Sequence, residues 1–287
     1  MERVKRWIRR YGGKKLQDLI IWGLRVTGIR NRIILFSPRV AQKKKVNIHY
    51  WSGEMNLGDA ISPLVVKHVA EWKKVDIYKN LEKTKHLFAV GSIITAGCQD
   101  CTIWGSGLLN TTRLSRLEHR KLDIRAVRGP LTRMVLMEHG FSVPEVYGDP
   151  AILMPLIYNP EVEKKYKVSI IPHMEDQGRF WTEEYHMIDI RTDDYEYFVR
   201  EIKASEIVFS SSLHGIILAE TYGIPAVLLK PRASEFKYMD YYLGTNRNNY
   251  PVADSIRQAL KTEPVAVPDF STMREALINS FPVDIWS

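Results

Sequence analysis

Residues 207–230 read IVFSSSLHGIILAETYGIPAVLLK. The run Ile207–Phe209 is short and apolar, and the three small residues Ser210–Ser212 follow it. A helical pattern then extends from about Leu213 to Tyr222. Gly223 and Pro225 end it, and a second apolar run, Ala226–Leu229, begins at once. Strand, turn, helix and strand in this order are the unit from which parallel sheets are built.

The same theme repeats on both sides of this stretch. Upstream, Val46–Trp51 reads as a strand, Ser52–Gly58 as a loop, and a helix opens at Asp59 with apolar positions Ile61, Leu64, Val65, Val69 and Trp72. Leu87–Val90, Thr102–Trp104 and Ile124–Val127 are further strands; the first two end in Gly91-Ser92 and Gly105-Ser106-Gly107. Gly129-Pro130 starts a helix that stops at Gly140, with proline where its missing N–H does no harm. After Pro150–Pro160 a second series begins: strands Lys167–Ile171 and Met187–Ile190, a helix Asp194–Ser205, and then the opening stretch. The expected fold is α/β, with two Rossmann-like parallel-sheet domains at 46–160 and 161–287, C-terminal helices included, and a linker near 155–165.

Residues 1–45 stand apart. They carry a net charge of +12, and the remainder carries −4, so the overall +8 belongs to the arm. A nucleic-acid binder would spread basic residues over its folded surface, so nucleic acid is not an expected partner. The most apolar part of the arm, Leu16–Phe36, is interrupted by Asp18, Arg25, Arg30 and Arg32, whereas a membrane span needs about 20 mostly apolar residues. No signal-peptide pattern is read there. Basic residues interleaved with Trp7, Ile8, Leu19, Ile20, Ile21, Trp22 and Leu24 fit an amphipathic helix lying on an anionic membrane surface. Such a helix implies a cytoplasmic protein held peripherally at the inner face of the cell membrane. A helix packed on the body, or a basic tail, is the plain alternative.

The two cysteines, Cys98 and Cys101, form a lone C-x-x-C without the second pair a zinc site needs. Reduced thiols are the expectation. The histidines show no metal spacing, and no metal or cofactor is expected. His173, Glu175 and Asp176 follow a strand and could face the cleft, although a solvated loop is the plainer expectation.

Three segments carry the chemistry. They are Asn56-Leu57-Gly58-Asp59; Arg125-Ala126-Val127-Arg128-Gly129-Pro130 with Gly148-Asp149-Pro150 downstream; and Ser210-Ser211-Ser212-Leu213-His214-Gly215, followed by Gly223-Ile224-Pro225. In this order, over roughly residues 47–245, they resemble the polysaccharide pyruvyltransferase family. The run Phe236-Lys237-Tyr238-x-Asp240-Tyr241 fits its later part. The resemblance implies a GT-B-like arrangement of the two domains. It also implies phosphoenolpyruvate as donor and a cyclic pyruvate ketal on a hexose, of a lipid-linked oligosaccharide precursor of capsule or exopolysaccharide, as product.

A small polyanionic donor needs cations and backbone donors. Ser210, Ser211 and Ser212 stand at a helix N-terminus. Arg128 can pair an anion bidentately, and Lys230 ends the next strand. His214 is the expected acid, as the resemblance also implies. A helix N-terminus would depress its pKa and a bound phosphate would raise it. Asp59 or Asp149 would serve as base, although Asp59 equally suits a helix N-cap and Asp149 a turn. Asn56, Gly105, Ser106 and Gly107 are expected on the acceptor side. Many members of the family carry Arg directly before Leu-His-Gly, where Ser212 stands here. Arg128 and Lys230 would then supply the charge, or the donor is held differently. Two other readings remain: a GT-B-like glycosyltransferase using a nucleotide-sugar, with Glu220 on the ribose, and a non-catalytic membrane-surface scaffold.

Overall fold

The computed structural model describes residue 23 and residues 41–287 except 52, 98 and 233. The basic arm and Cys98 therefore lie outside the described residues, apart from Gly23 and the last few positions before the first strand.

Two parallel sheets form the body. The first has strands β1 (Val46–His49), β2 (Lys85–Phe88), β3 (Cys101–Trp104) and β4 (Leu122–Ala126) in the order β1-β2-β3-β4. The second contains β5 (Tyr166–Ile171), β6 (His186–Met187), β7 (Ser205–Ser210), β8 (Ala226–Leu229) and β9 (Val252–Ala253) in the order β6-β5-β7-β8-β9. Every pairing is parallel. The carboxyl ends of each sheet thus share one edge, where open α/β sheets place their ligands.

Six helices of eight residues or more occur among the described residues. They are α1 (Leu57–Trp72), α2 (Pro130–Glu138), α3 (Tyr195–Lys203), α4 (Leu213–Thr221), α5 (Phe236–Gly244) and α6 (Ser271–Asn279). The expected helices α1 to α4 are all present within a few residues of their anticipated ends. One start differs. α1 opens at Leu57 rather than Asp59, and Asn56 caps it by accepting from the Gly58 amide at 3.0 Å. The expected strand Met187–Ile190 keeps two ladder residues only, because β6 is an edge paired to β5 alone.

One apolar core runs under both sheets. Leu57, Val65, Val66 and Val69 of α1, Trp104 of β3, Val208 of β7 and Ile216–Ala219 of α4 belong to a single buried cluster. α4 is buried on nearly every side, which explains why its sequence shows apolar residues all round. The C-terminal segment, expected within the second domain, returns to the first. Trp104 Nε1 donates to the Leu277 carbonyl at 2.9 Å. The Phe281 ring meets Trp104 edge-on at 5.0 Å, and Arg125 donates to Asp284 at 2.7 Å. Among the described residues no helix is long and apolar enough to cross a membrane.

A buried ion pair ties α4 to the end of α5. Arg247 donates through Nη1 and Nη2 to the two Glu220 oxygens at 2.6 and 2.7 Å, and the Tyr241 hydroxyl donates to Oε2 at 2.6 Å. Removing one member strands the other charge away from water. Arg247→Ala is expected to lower unfolding free energy by about 3–5 kcal/mol, read from the urea midpoint.

Candidate active site

The three motifs converge where the carboxyl ends of the two sheets meet. Leu57 N–H donates to the Ile190 carbonyl across the seam at 2.9 Å. One residue on, Gly58 lies directly against His214 at the start of α4. A Cβ built on Gly58 would stand 1.8 Å from His214 Nδ1, so only glycine lets the ring seat there. Across the ring, His214 Nε2 is 3.5 Å from Asp149 Oδ2. Both atoms are buried, and neither meets a closer hydrogen-bond partner among the described residues.

Asp149 has two tasks. One oxygen caps the 3-10 turn Pro150–Leu153 by accepting from Ala151 N–H at 3.0 Å; the other faces His214. The turn reading and the site reading both describe it.

Asp59 does not cap α1, because Asn56 does. Its side chain is partly reachable at the surface, yet the surrounding protein keeps most water from its carboxyl. That desolvation pushes its pKa up to about 6, although His214, Lys237 and the Trp51 amide each favour the charged form. Asp59 also lies close to Gly91, whose φ is +103° and where a Cβ would approach Oδ1 to 3.0 Å.

The second sheet contributes two groups that the sequence did not single out as site residues. Lys237 of α5 is buried at 7% exposure. Desolvation, followed by the Arg128 charge, lowers its pKa to about 8, against the opposing pull of Asp59, Glu175 and Asp176. His173, expected in a solvated loop, is instead half-buried, with Nε2 3.5 Å from Lys237 Nζ. Desolvation, followed by the Lys237 charge, brings its pKa down to about 4, so it is neutral near pH 7. The signal for Lys237 was present: FKYMDYYLG holds two charges, three residues apart, in an otherwise aromatic helix.

Other expected site residues build the walls. Ser210 Oγ donates to the Ile171 carbonyl at 2.7 Å and accepts from Ser212 N–H at 3.0 Å. Ser211 Oγ accepts from His173 N–H at 2.9 Å, and the Ser211 carbonyl accepts from the Tyr238 hydroxyl at 2.5 Å. Ser212 is the N-cap residue of α4, without a capping bond from its side chain. Gly105, at φ +84°, packs on Pro150 and the Gly148 carbonyl. Ser106 Oγ donates to the Gly91 carbonyl at 2.7 Å. Gly107 lies against the Arg128 guanidinium.

The two expected cations sit elsewhere than an anion would need. Arg128 is 1% exposed. It donates through Nε to Asp240 Oδ2 at 3.1 Å, through Nη1 to Ser92 Oγ at 2.5 Å and through Nη2 to the Leu108 carbonyl at 2.7 Å. Lys230 turns to the surface, its side chain 53% exposed, and pairs with Asp254 at 3.3 Å. Glu220, the ribose candidate of the glycosyltransferase reading, is closed off by Arg247 and Tyr241.

Comparison with known proteins agrees with the motif order. Over 226 residues the chain is 29% identical to an uncharacterized protein of Acanthamoeba polyphaga mimivirus, covering 72% of this chain and 78% of that one. Over 148 residues it is 31% identical to the succinoglycan biosynthesis protein ExoV of Rhizobium meliloti, covering 48% of this chain and 45% of ExoV. A crystal structure of an uncharacterized protein from Klebsiella pneumoniae superposes with a TM-score of 0.47 at 13% identity, over 83% of this chain and 97% of that one. Residues 39–231 match the polysaccharide pyruvyl transferase family, a span that includes Asp59, Arg128, Asp149 and His214 and stops before Lys237. On that match the chain belongs to the polysaccharide pyruvyl transferase family.

Proposed function

We propose that this chain transfers the pyruvyl group of phosphoenolpyruvate to two hydroxyls of one hexose, giving a cyclic pyruvate ketal and inorganic phosphate. The observation that carries the reading is the seating of His214: on Gly58, facing Asp149, with Asp59 and the buried Lys237 in the same cleft.

The chemistry follows from the charges. Lys237 offers a cation in a dry setting, where an anionic donor gains most from it. Protonated His214 delivers its proton to the methylene carbon of the donor, and an oxocarbenium-like centre forms at C2. The first sugar hydroxyl adds there and gives its proton to Asp59. A carboxyl poised near pH 6 suits proton traffic at neutral pH. The C2–O(phosphate) bond then breaks, the second hydroxyl closes the ring, and its proton leaves with phosphate. One proton enters at carbon and two leave the hydroxyls, so the substrates balance with the phosphate protonated once, and the enzyme is reset when the proton held on Asp59 is returned to His214. Asp149 holds the imidazole and offsets the charge it carries, as a carboxylate behind a catalytic histidine does. No step calls on a metal, and turnover is expected to persist in EDTA.

The similarity to ExoV, named for succinoglycan biosynthesis, supports an exopolysaccharide precursor as acceptor, here taken as lipid-linked. The basic arm at residues 1–45 would keep the enzyme on the anionic membrane carrying that lipid. Full-length protein is expected to co-float with anionic liposomes at low salt. Two facing parallel sheets, with the C-terminal segment crossing back to the first, support a GT-B-like reading of the fold. The nucleotide-sugar alternative loses its ribose acceptor, since both Glu220 oxygens are already paired.

Phosphate release from phosphoenolpyruvate, with hexoside acceptors and product mass followed together, tests the reaction. The sugar should gain about 70 mass units. His214→Ala should lose about 10²–10⁴-fold in kcat; unchanged turnover would sink the assignment. The rate should follow a bell. It rises as pH climbs through about 6, where Asp59 must be deprotonated to act as base. It falls through about 8, where Lys237 gives up its charge. Asp59→Asn should remove the lower limb along with most activity. Gly58→Ala tests the seat itself, because the new methyl must push the imidazole away. A displacement of about 1 Å is expected to cost about 10²-fold in kcat, with little change in thermal midpoint.

A further inference from the structure

α5 meets the first domain through bare backbone. A Cβ on Gly129 would stand 1.9 Å from the Asp240 carbonyl oxygen, and one on Gly244 would stand 2.9 Å from the Arg128 carbonyl oxygen. At the centre of this contact the Asp240 carboxylate, fully buried, is held by three hydrogen bonds and a further guanidinium contact from the first domain. Arg128 approaches it through Nε at 3.1 Å and Nη2 at 3.0 Å. Thr132 gives its backbone N–H at 2.9 Å and its hydroxyl at 2.7 Å. Asp240 has no polar partner left to seek, and the helix has no freedom to slide.

Lys237 stands three residues earlier, on the same face of the helix. It faces Asp59 from α1, Arg128 from the turn after β4, and His173, Glu175 and Asp176 from the segment after β5. Its place among them is set by where α5 is anchored. We propose that Asp240 is a positioning residue: by clamping α5 onto Arg128 and Thr132 it fixes the place of Lys237 and offsets part of the Arg128 charge that Lys237 meets. The Val-Arg-Gly motif is then the socket of the second domain's helix rather than a ligand for the donor. The coupling between Asp240 and Lys237 stands on geometry alone. Its consequence for donor binding rests on the function proposed above.

The sign is definite. In Asp240→Asn the Arg128 cation loses its counter-charge, and an unpaired positive charge nearby disfavours protonated Lys237. Side-chain NMR of isotope-labelled lysine in the full chain, with the Lys237 signal assigned by its absence in Lys237→Arg, reads this directly. The Lys237 titration should move to lower pH by about half a unit or more. Calorimetric titration with phosphoenolpyruvate should show about tenfold weaker binding, as expected for loss of one aligned charged contact. Replacing the whole pair, Arg128→Met with Asp240→Leu, removes both buried charges together, at the cost of the bonds to Thr132, Ser92 and Leu108; it serves as the second variant beside the near-isosteric Asp240→Asn. There Lys237 should titrate no lower than in the wild type, while donor binding stays weakened, because the clamp is gone but so is the stray charge. An unmoved Lys237 titration in Asp240→Asn, or wild-type donor affinity in the double variant, overturns the inference. If the wild-type protein binds no phosphoenolpyruvate, the proposed function fails instead, and the Lys237 titration alone decides the coupling.

Discussion

The seating of α5 on the first domain turns on one buried ion pair. Arg128 and Asp240 are both shut off from water, and they belong to different sheets' attachments, one following β4 and the other on α5. Burying two charges costs several kcal/mol before their attraction returns anything. Such a pair contributes little net stability and a great deal of geometry: only one alignment of α5 on the first domain satisfies Arg128, Thr132 and Asp240 together. The glycines at 129 and 244 allow the backbones close enough for that alignment to exist.

The same exclusion of water sets the protonation pattern. In Asp59, Lys237 and His173 the largest cause of the shift is desolvation, and it favours the neutral form of each. The neighbours then act as corrections of opposite sign. Lys237 and His214 pull Asp59 back toward its charged form, and Asp59 does the same for Lys237. The result is a carboxyl near 6 and an amine near 8, bracketing neutrality from both sides.

The strand–helix alternation was legible because parallel strands buried on both faces are short continuous apolar runs, and the Gly and Pro punctuation between them is hard to misread. His214, Asp59 and Asp149 were legible through motif order, and all three meet in the cleft. Arg128 was read correctly as lying at a sheet's carboxyl edge, but spacing along a strand does not say which way a side chain leaves the turn. It goes inward to Asp240, not outward to solvent. Lys230 failed for the complementary reason: the end of a strand can open to the surface as well as to the cleft. The Gly105–Gly107 turn reads as a ligand loop in sequence; in the structure its glycines are also required by the close approach of Pro150 and of the Arg128 guanidinium. The return of the C-terminal segment to Trp104 depends on a contact 173 positions away in sequence, which no local pattern encodes.

Lys237 and Ser212 explain each other. A side chain at 212 leaves from the N-cap of α4, two residues before His214, so a cation there would reach the cleft from the second sheet itself. In the site proposed above, serine in that place leaves Lys237 as the cation. Tyr238 donates its hydroxyl to the Ser211 carbonyl at 2.5 Å, which fixes the start of α5 against the turn that begins α4. Lys237 is the residue before that tyrosine, and its ammonium lies 5.0 Å from the Tyr238 ring centre. Tyr238 and Tyr241 thus fasten this short helix to the second domain, and Asp240 fastens it to the first. A long flexible lysine gains definition from such a mounting, because most of its stem is immobilised before any anion arrives and less entropy remains to be lost on binding.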